Sequence, residues 1–164
     1  MSIGGASMSK NESRVEGASA QYATFFLDGL YFGIEVLNVQ EVIRHQEMTP
    51  VPLAPPVVRG LINLRGQIVT ALDLRTRLGL SARPDTELPM NVVVRSSDGA
   101  VSLLVDEIDD VVEVSAEQFE QAPDTVRCKL DGLVTGVYKL PNRLLLILEV
   151  ERTVDISGRY ADAA

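Results

Sequence analysis

Apolar residues along this chain come in short runs separated by turn-forming residues. Between positions 21 and 36, two apolar runs are joined by Asp28-Gly29, and between 91 and 105 two more are joined around Asp98-Gly99. An Asp-Gly pair between β-forming residues favours a tight turn, because glycine, and less readily aspartate, tolerates positive φ. Each of these patterns therefore predicts a β-hairpin.

The chain also matches itself in two places without a gap. Residues 29–43 align on 98–112, and residues 60–78 align on 136–154, in the same order along the chain. Apolar matches arise easily by chance in so aliphatic a sequence, but two ungapped matches in one order are harder to dismiss. We therefore interpret the chain as two copies of one small β unit.

Each copy has the same succession of features. After the first hairpin come apolar residues whose mixed spacing fits a short helical turn leading into a strand. A connector follows, and then a second hairpin with Gly66 or Asn142 at its turn. Asp73 and Glu149 follow the last strands at matched positions, and we expect each to cap the helix after it. Residues 144–150 are apolar on both faces, so we expect that strand to be covered on both.

The spacing of these elements predicts the fold class. Short strands with turn signals every ~8–12 residues are typical of a sandwich or a barrel. Two copies predict an all-β chain of two small barrels that share a seam, with the copies at roughly 21–80 and 90–155. Residues 1–20 are rich in Gly, Ser and Ala, and we interpret them, with residues 156–164, as tails outside this domain.

Composition excludes several classes of function. The chain has 164 residues and a formal net charge of −8, which disfavours phosphate backbones and anionic lipid, so we expect neither nucleic acid nor the membrane as a partner. Its apolar runs are shorter than the ~18 residues of a membrane span. The single cysteine, Cys128, allows no disulfide within the chain and fits a reducing cytosol.

The residues that could carry catalysis or bind metal have simpler interpretations. The acids between Asp106 and Val114 alternate with β-forming residues, which is typical of a wet strand face rather than of convergent calcium ligands. His45 is the only histidine and has no cysteine beside it, so a zinc site is not expected. Cys128 lies between Arg127 and Lys129 but lacks a nearby histidine. The sequence thus predicts no catalytic, metal-binding or cofactor-binding residue.

Arg65 interrupts the otherwise apolar stretch GLINLRGQIVTALDL, residues 60–74. Taken alone, it would be an arginine at the tip of a turn, in water. The equivalent position of the second copy holds Pro141, so the turn does not need an arginine to form. A guanidinium offers a flat, permanently charged fork that suits carboxylates and carbonyl groups of a partner protein.

Four stretches resemble a known family: YFGIEVLNVQEVI, VRGLINLRGQIVTALDLRTRL, LLVDEIDDVVEV and GVYKLPNRLLLILEVERTV. The chain is similar over about Gln21 to Asp155 to CheW, the coupling-protein family of bacterial chemotaxis arrays. The NLRG…DL block is the most specific part, and the others agree in pattern more than in identity. The chain departs from the family at Thr70, where the family often carries a proline.

The resemblance implies two interleaved SH3-like five-stranded β-barrels with a few short helices and no catalytic activity. It also implies an adaptor that links the cytoplasmic tips of chemoreceptors to the regulatory domain of the histidine kinase CheA. Such a protein would be cytoplasmic and recruited to receptor arrays at the inner face of the membrane. The alternative that the family leaves open is an adaptor of a type IV pilus, twitching or developmental chemosensory pathway.

The same resemblance implies a receptor-binding site. The residues of this chain at the matching positions are Val39, Glu41, Leu61, Asn63, Leu64, Arg65 and Gly66. Without it, Val39 would be a core residue and Glu41 a solvated acid. A function of another class, a small β-barrel enzyme or ligand carrier, would require an enclosed polar pocket with perturbed acids.

Overall fold

The structure, a computed structural model, describes residues 19–130 and 132–156, except for the side chains of residues 127–129. The predicted tails therefore lie almost wholly outside the described residues, although the first strand already begins at Ser19. The Cys128 side chain lies outside them too. The division of the repeat at 21–80 and 90–155 stays a prediction from the sequence.

Strands dominate the described residues: β1 (Ser19–Leu27), β2 (Leu30–Glu35), β3 (Val39–Ile43), β4 (Val58–Leu64), β5 (Gln67–Asp73), β6 (Met90–Ser96), β7 (Gly99–Val105), β8 (Glu107–Ser115), β9 (Phe119–Gln121), β10 (Val134–Lys139) and β11 (Leu144–Leu148). The helices are short: α1 (Leu74–Arg77), α2 (Asp124–Lys129) and α3 (Val150–Val154), with 3₁₀ turns at Val36–Asn38 and Ala116–Gln118. The predicted all-β class with a few short helices is confirmed.

The two sheets exchange strands between the copies. One sheet has the order β8-β1-β2-β11-β10-β9 and the other has the order β3-β6-β7-β5-β4. Each sheet therefore combines the first hairpin of one copy with the third strand and second hairpin of the other copy. Parallel pairing joins these parts at equivalent places, β2 with β11 in one sheet and β5 with β7 in the other. The predicted interleaving of the two units is confirmed.

One sheet has a sixth strand that the prediction of five per barrel did not include. The short β9 pairs with β10 in the second copy, from Phe119 opposite Tyr138 to Gln121 opposite Gly136. In the first copy the matching connector makes only one bridge, between Thr49 and Leu61. The four prolines of the segment before β4 have no backbone N–H to donate, which accounts for the shorter pairing there.

Among the described residues, the buried apolar side chains form three clusters. The largest lies between the two sheets and includes Phe25 and Phe32 from one sheet and Leu72 and Leu103 from the other. A second cluster covers the opposite face of the six-stranded sheet, and a third covers the opposite face of the five-stranded sheet. Strand β11 contributes Leu146 and Leu148 to the first cluster and Leu145 and Ile147 to the second, so its predicted double coverage is confirmed.

Several local predictions of turns and caps are also confirmed, although Asn142, unlike Gly66, does not have a positive φ. Asp28 and Gly29 both have positive φ, of 50° and 81°, as the β1–β2 hairpin turn requires. The Asp73 carboxylate accepts a hydrogen bond from the backbone N–H of Arg75 at the start of α1, and Glu149 accepts one from Arg152 in α3. Gly79, with a φ of 76°, ends the turn after α1.

Candidate functional site

The seven predicted receptor-binding residues lie on the two edge strands of the five-stranded sheet. Val39 and Glu41 belong to β3, which forms one edge. Leu61, Asn63 and Leu64 belong to β4, which forms the other edge, and the remaining two residues form the β4–β5 turn. These strands are farthest apart in the hydrogen-bonding order of the sheet, so only the curvature of the sheet can bring their side chains together.

Arg65 and Glu41 form the contact that joins these two edges. The guanidinium donates two parallel hydrogen bonds to the carboxylate, each 2.7 Å long, in the bidentate geometry that favours arginine over lysine. Donation from Arg65 holds the pKa of Glu41 below its ordinary value, although burial acts in the opposite direction. The pair remains at the surface, because the Arg65 side chain is 76% exposed.

The backbone at Arg65 is in an uncommon conformation. Its φ is 52°, in the left-handed region, and the following Gly66 has a φ of 87°, so the two residues form a tight hairpin turn. The Asn63 side-chain oxygen accepts a hydrogen bond of 2.9 Å from the Gly66 N–H and closes this turn. A left-handed arginine is disfavoured relative to glycine or asparagine, so turn propensity does not account for the arginine at this position.

The predicted residues of β4 divide between the two faces of that strand. Leu64 packs beside Met48 in the cluster that contains Ile62, whereas Leu61 and Asn63 lie on the opposite face. Val39 is partly buried against the central core, and its carbonyl oxygen accepts a hydrogen bond from Arg95. Leu64 and Val39 therefore support the site from within, and Leu61 lies on its surface with Asn63.

The structure adds apolar residues that the sequence argument missed. Ile68 of β5 lies directly opposite Asn63, and its side chain is 62% exposed. Val42 of β3 is 40% exposed, but it follows Glu41 in the strand and its side chain therefore lies on the opposite face. An isoleucine two residues after a hairpin turn was the available signal for Ile68, because such a position extends past the core. An exposed isoleucine on the hairpin that carries Arg65 fits contact with another protein.

The remaining sequence candidates have structural partners or lie apart from this surface. Asp73 and Glu149 cap helices, as described above. Asp106 belongs to an ion network with Arg75 and Arg83, rather than to a metal site. The Nδ1 atom of His45 is buried without a hydrogen-bond partner. Over the residues that the structure describes, no three His, Cys, Asp or Glu side chains converge as metal ligands, and no helix has the length and apolarity to span a membrane.

Comparisons with known proteins agree with this architecture. The family described as the CheW-like domain matches residues 21–157. The Chemotaxis protein CheW of Bacillus subtilis (strain 168) is 33% identical over 131 residues, which cover 80% of this chain and 84% of that protein. The Protein PilI of Pseudomonas aeruginosa is a weaker match, 25% identical over 114 residues, which cover 70% of this chain and 64% of that protein.

A solved structure shows the same fold. The scaffolding protein TtCheW from Thermoanaerobacter tengcongensis superimposes with a TM-score of 0.77 at 24% sequence identity, over 85% of this chain and 95% of that one. With two interleaved β units and a family match over residues 21–157, the chain belongs to the CheW-like domain family.

Proposed function

We propose that this chain is a non-catalytic cytoplasmic adaptor that couples the cytoplasmic tips of chemoreceptors to the regulatory domain of the histidine kinase CheA. The observation that supports the proposal is the Arg65–Glu41 pair, presented on a hairpin tip beside exposed aliphatic side chains. Family membership supports the scaffolding role, and the receptor and the kinase enter as the partners that the CheW resemblance implies.

The surface suits an amphipathic helix better than a small molecule. Leu61 and Ile68 provide apolar area on one face of the β4–β5 hairpin, and Arg65 provides a directional charge at its tip. Helices are commonly held by such a combination of apolar area and a few charged contacts. A reversible contact of this kind would bury no more than a standard interface of roughly 1,200–2,000 Å².

Glu41 defines how Arg65 would act. Both carboxylate oxygens of Glu41 already accept hydrogen bonds from the guanidinium, which keeps its fork oriented over the edge of β3. A receptor carboxylate or carbonyl would engage the N–H groups that remain, or would compete with Glu41 for the same ones. Reversing the charge at position 65 would place two carboxylates at this edge and remove the donor for the receptor.

On the kinase side, the proposal is coupling through contact. Opposite ends of the two units would pair with SH3-like units of the kinase regulatory domain, so a shift of the bound receptor would change how the kinase is held. This division of surfaces predicts that receptor binding and kinase binding can be separated by mutation.

The experiment compares Arg65→Glu with Lys139→Glu. Lys139 is also an exposed cation paired with an acid, Glu120 at 2.7 Å, and it precedes the equivalent turn of the second copy. We expect Arg65→Glu to abolish co-sedimentation with receptor-containing membranes while kinase binding and the melting temperature stay near those of the unmodified protein. Lys139→Glu should retain receptor binding.

Two outcomes would contradict the proposal. Equal loss of receptor and kinase binding in Arg65→Glu, or a large fall in its melting temperature, would make Arg65 a structural residue. Affinity capture from cell extract with the purified chain is a second check, because the proposal requires recovery of both a chemoreceptor and a histidine kinase.

A further inference from the structure

A short 3₁₀ turn, Val36–Asn38, connects β2 to β3 just before the candidate receptor site. Its middle residue, Leu37, is 80% exposed, so this large apolar side chain contributes little to the core. Two residues of chain span at most about 7 Å, which keeps the Leu37 Cα atom within that distance of the Cα atom of Val39, a predicted receptor-binding residue. Leu37 itself is not among the seven predicted residues.

The turn is weakly stabilised by its own residues. None of them is buried, and no side chain caps the start of the turn, because Glu35 makes no such hydrogen bond. The Val39 N–H closes the turn by donating to the Val36 carbonyl oxygen. Hydrogen bonds in 3₁₀ turns have poor geometry, so a turn without burial or a cap depends on support from elsewhere in the chain.

Arg95 of β6 supplies that support. One guanidinium nitrogen, Nη1, donates to the Leu37 carbonyl oxygen at 3.1 Å and to the Val39 carbonyl oxygen at 3.0 Å. Carbonyl groups at the C-terminal end of a helical turn lack partners within it and carry partial negative charge, so a cation is favoured there. Arg95 thereby ties the turn to the strand that pairs with β3.

The second copy shows that the fold does not require an exposed leucine at this position. In the ungapped alignment of the two copies, Leu37 is equivalent to Asp106. The chain passes from β7 to β8 there without a 3₁₀ turn. The Asp106 carboxylate is held inward by Arg75 and Arg83 and is 14% exposed. The first copy therefore projects an apolar side chain where the second copy holds a buried charge.

We propose that Arg95 is a positioning residue of the receptor site, which fixes the Val36–Asn38 turn and so holds Leu37 in place as an apolar contact for the receptor helix. In the complex, Leu37 packs against an apolar residue of that amphipathic helix, while Arg65 contacts its polar groups. Arg95 bonds to this chain and acts on receptor binding through the turn. The inference rests on the proposed function, because the helix is that of the receptor.

The first test compares Leu37→Ser with Leu88→Ser in co-sedimentation with receptor-containing membranes. Leu88 is 66% exposed and precedes the end of β6 that is farther from Arg95, so it is a control of the same residue type away from the site. We expect Leu37→Ser to weaken binding at least about fivefold, as for an energetically important interface residue. Leu88→Ser should bind as the unmodified chain does. Both variants should keep its melting temperature, because the two side chains are exposed.

The second test asks whether Arg95 acts through the turn. Arg95→Gln should weaken receptor binding about two- to fivefold through the loss of its hydrogen bonds, and Arg95→Lys should retain most of the binding, since an ammonium can donate to the same carbonyl groups. The double variant Arg95→Gln/Leu37→Ser should bind no more weakly than Leu37→Ser, whereas independent effects would multiply. In the receptor-free chain, hydrogen exchange at the Val39 amide should accelerate in Arg95→Gln and stay slow in Arg95→Lys.

Failure of this inference can be told apart from failure of the adaptor function. If the unmodified chain binds receptor and Leu37→Ser binds equally well, or if Leu37→Ser melts at a much lower temperature, the inference is overturned and the adaptor function stands. Multiplied effects in the double variant, or an unchanged exchange rate at Val39 in Arg95→Gln, would overturn the positioning role of Arg95. If the unmodified chain does not co-sediment with receptor, both proposals fail.

Discussion

Substitution of Gly60 by alanine should destabilise the edge that carries the candidate receptor site. A Cβ atom at this position would lie 2.7 Å from the Thr49 carbonyl oxygen and 2.9 Å from the Met48 Cβ atom. Both distances are shorter than ordinary contacts, and the first is to backbone, which cannot rotate away. The connector before β4 must therefore move away from the strand.

The magnitude follows from the bridge that this movement breaks. The Thr49 N–H donates to the Leu61 carbonyl oxygen at 2.9 Å, and the Leu61 N–H donates to the Thr49 carbonyl oxygen at 2.8 Å. Each hydrogen bond contributes about 0.5–1.5 kcal/mol to the free energy of unfolding, so we expect a loss of about 1–3 kcal/mol. For a chain of this size, each kcal/mol lowers the melting temperature by about 2–4 °C.

The second copy supplies a matched control, Gly136→Ala. The new Cβ atom would meet the Phe119 ring at 2.2 Å, and the Glu120 carbonyl oxygen only at 3.0 Å. The Phe119 side chain is 40% exposed and can swing outward, so the cost should be mainly its edge contact with Tyr138, about 0.5–1.5 kcal/mol. Both substitutions remove a glycine, so the change in the entropy of the unfolded chain cancels in the comparison.

The assay is urea unfolding of both variants, with hydrogen exchange at the Leu61 amide. We expect the Gly60 variant to be the less stable of the two, with protection lost at Leu61 and receptor co-sedimentation weakened. If it unfolds at the same urea concentration as the Gly136 variant, or if the Leu61 amide stays protected, the crossing of the connector over β4 is not as close as described.

Three further predictions test other parts of the structure. Leu145→Ala should lower the free energy of unfolding by about 2–5 kcal/mol in urea titrations, because this fully buried side chain leaves a cavity; a smaller loss would mean that its cluster collapses around the gap. Burial raises the pKa of Asp106, but hydrogen bonds from Arg75, the Asp28 backbone and Arg83 together hold it below its ordinary value of 3.8. The ionised carboxylate of Asp106 therefore stabilises the fold above pH 3.8, and this contribution is lost as the pH falls through the lower pKa of the folded state. In Asp106→Asn, the urea midpoint of unfolding should depend less on pH below about pH 4 than it does in the unmodified chain. An unchanged dependence of the midpoint on pH would contradict this. Finally, the double exchange Glu41→Arg/Arg65→Glu should restore the surface ion pair without restoring receptor co-sedimentation, because the guanidinium would then project from β3. Full recovery of co-sedimentation would show that receptor binding requires the ion pair and not the position of the arginine.

Much of the fold followed from local features of the sequence. Asp28-Gly29 predicted a hairpin because the conformation that such a turn demands depends on those two residues alone. Asp73 predicted a helix cap because a side-chain oxygen reaches N–H groups only two or three residues away. The apolar run in β11 predicted coverage on both faces because successive side chains in a strand alternate between faces.

The exchange of strands and the composition of the site were decided by tertiary structure. The pattern that makes β3 a strand does not state which of the equivalent strands it pairs with, and the structure places it beside β6 of the other copy. Arg65 and Glu41 are 24 residues apart, and only the curvature of the sheet brings them within 2.7 Å. The alternation of apolar residues and the preferences of turn residues act over a few residues, so they can be predicted from the sequence. The partner of each strand and the contacts across a sheet depend on how both copies bury their apolar faces together.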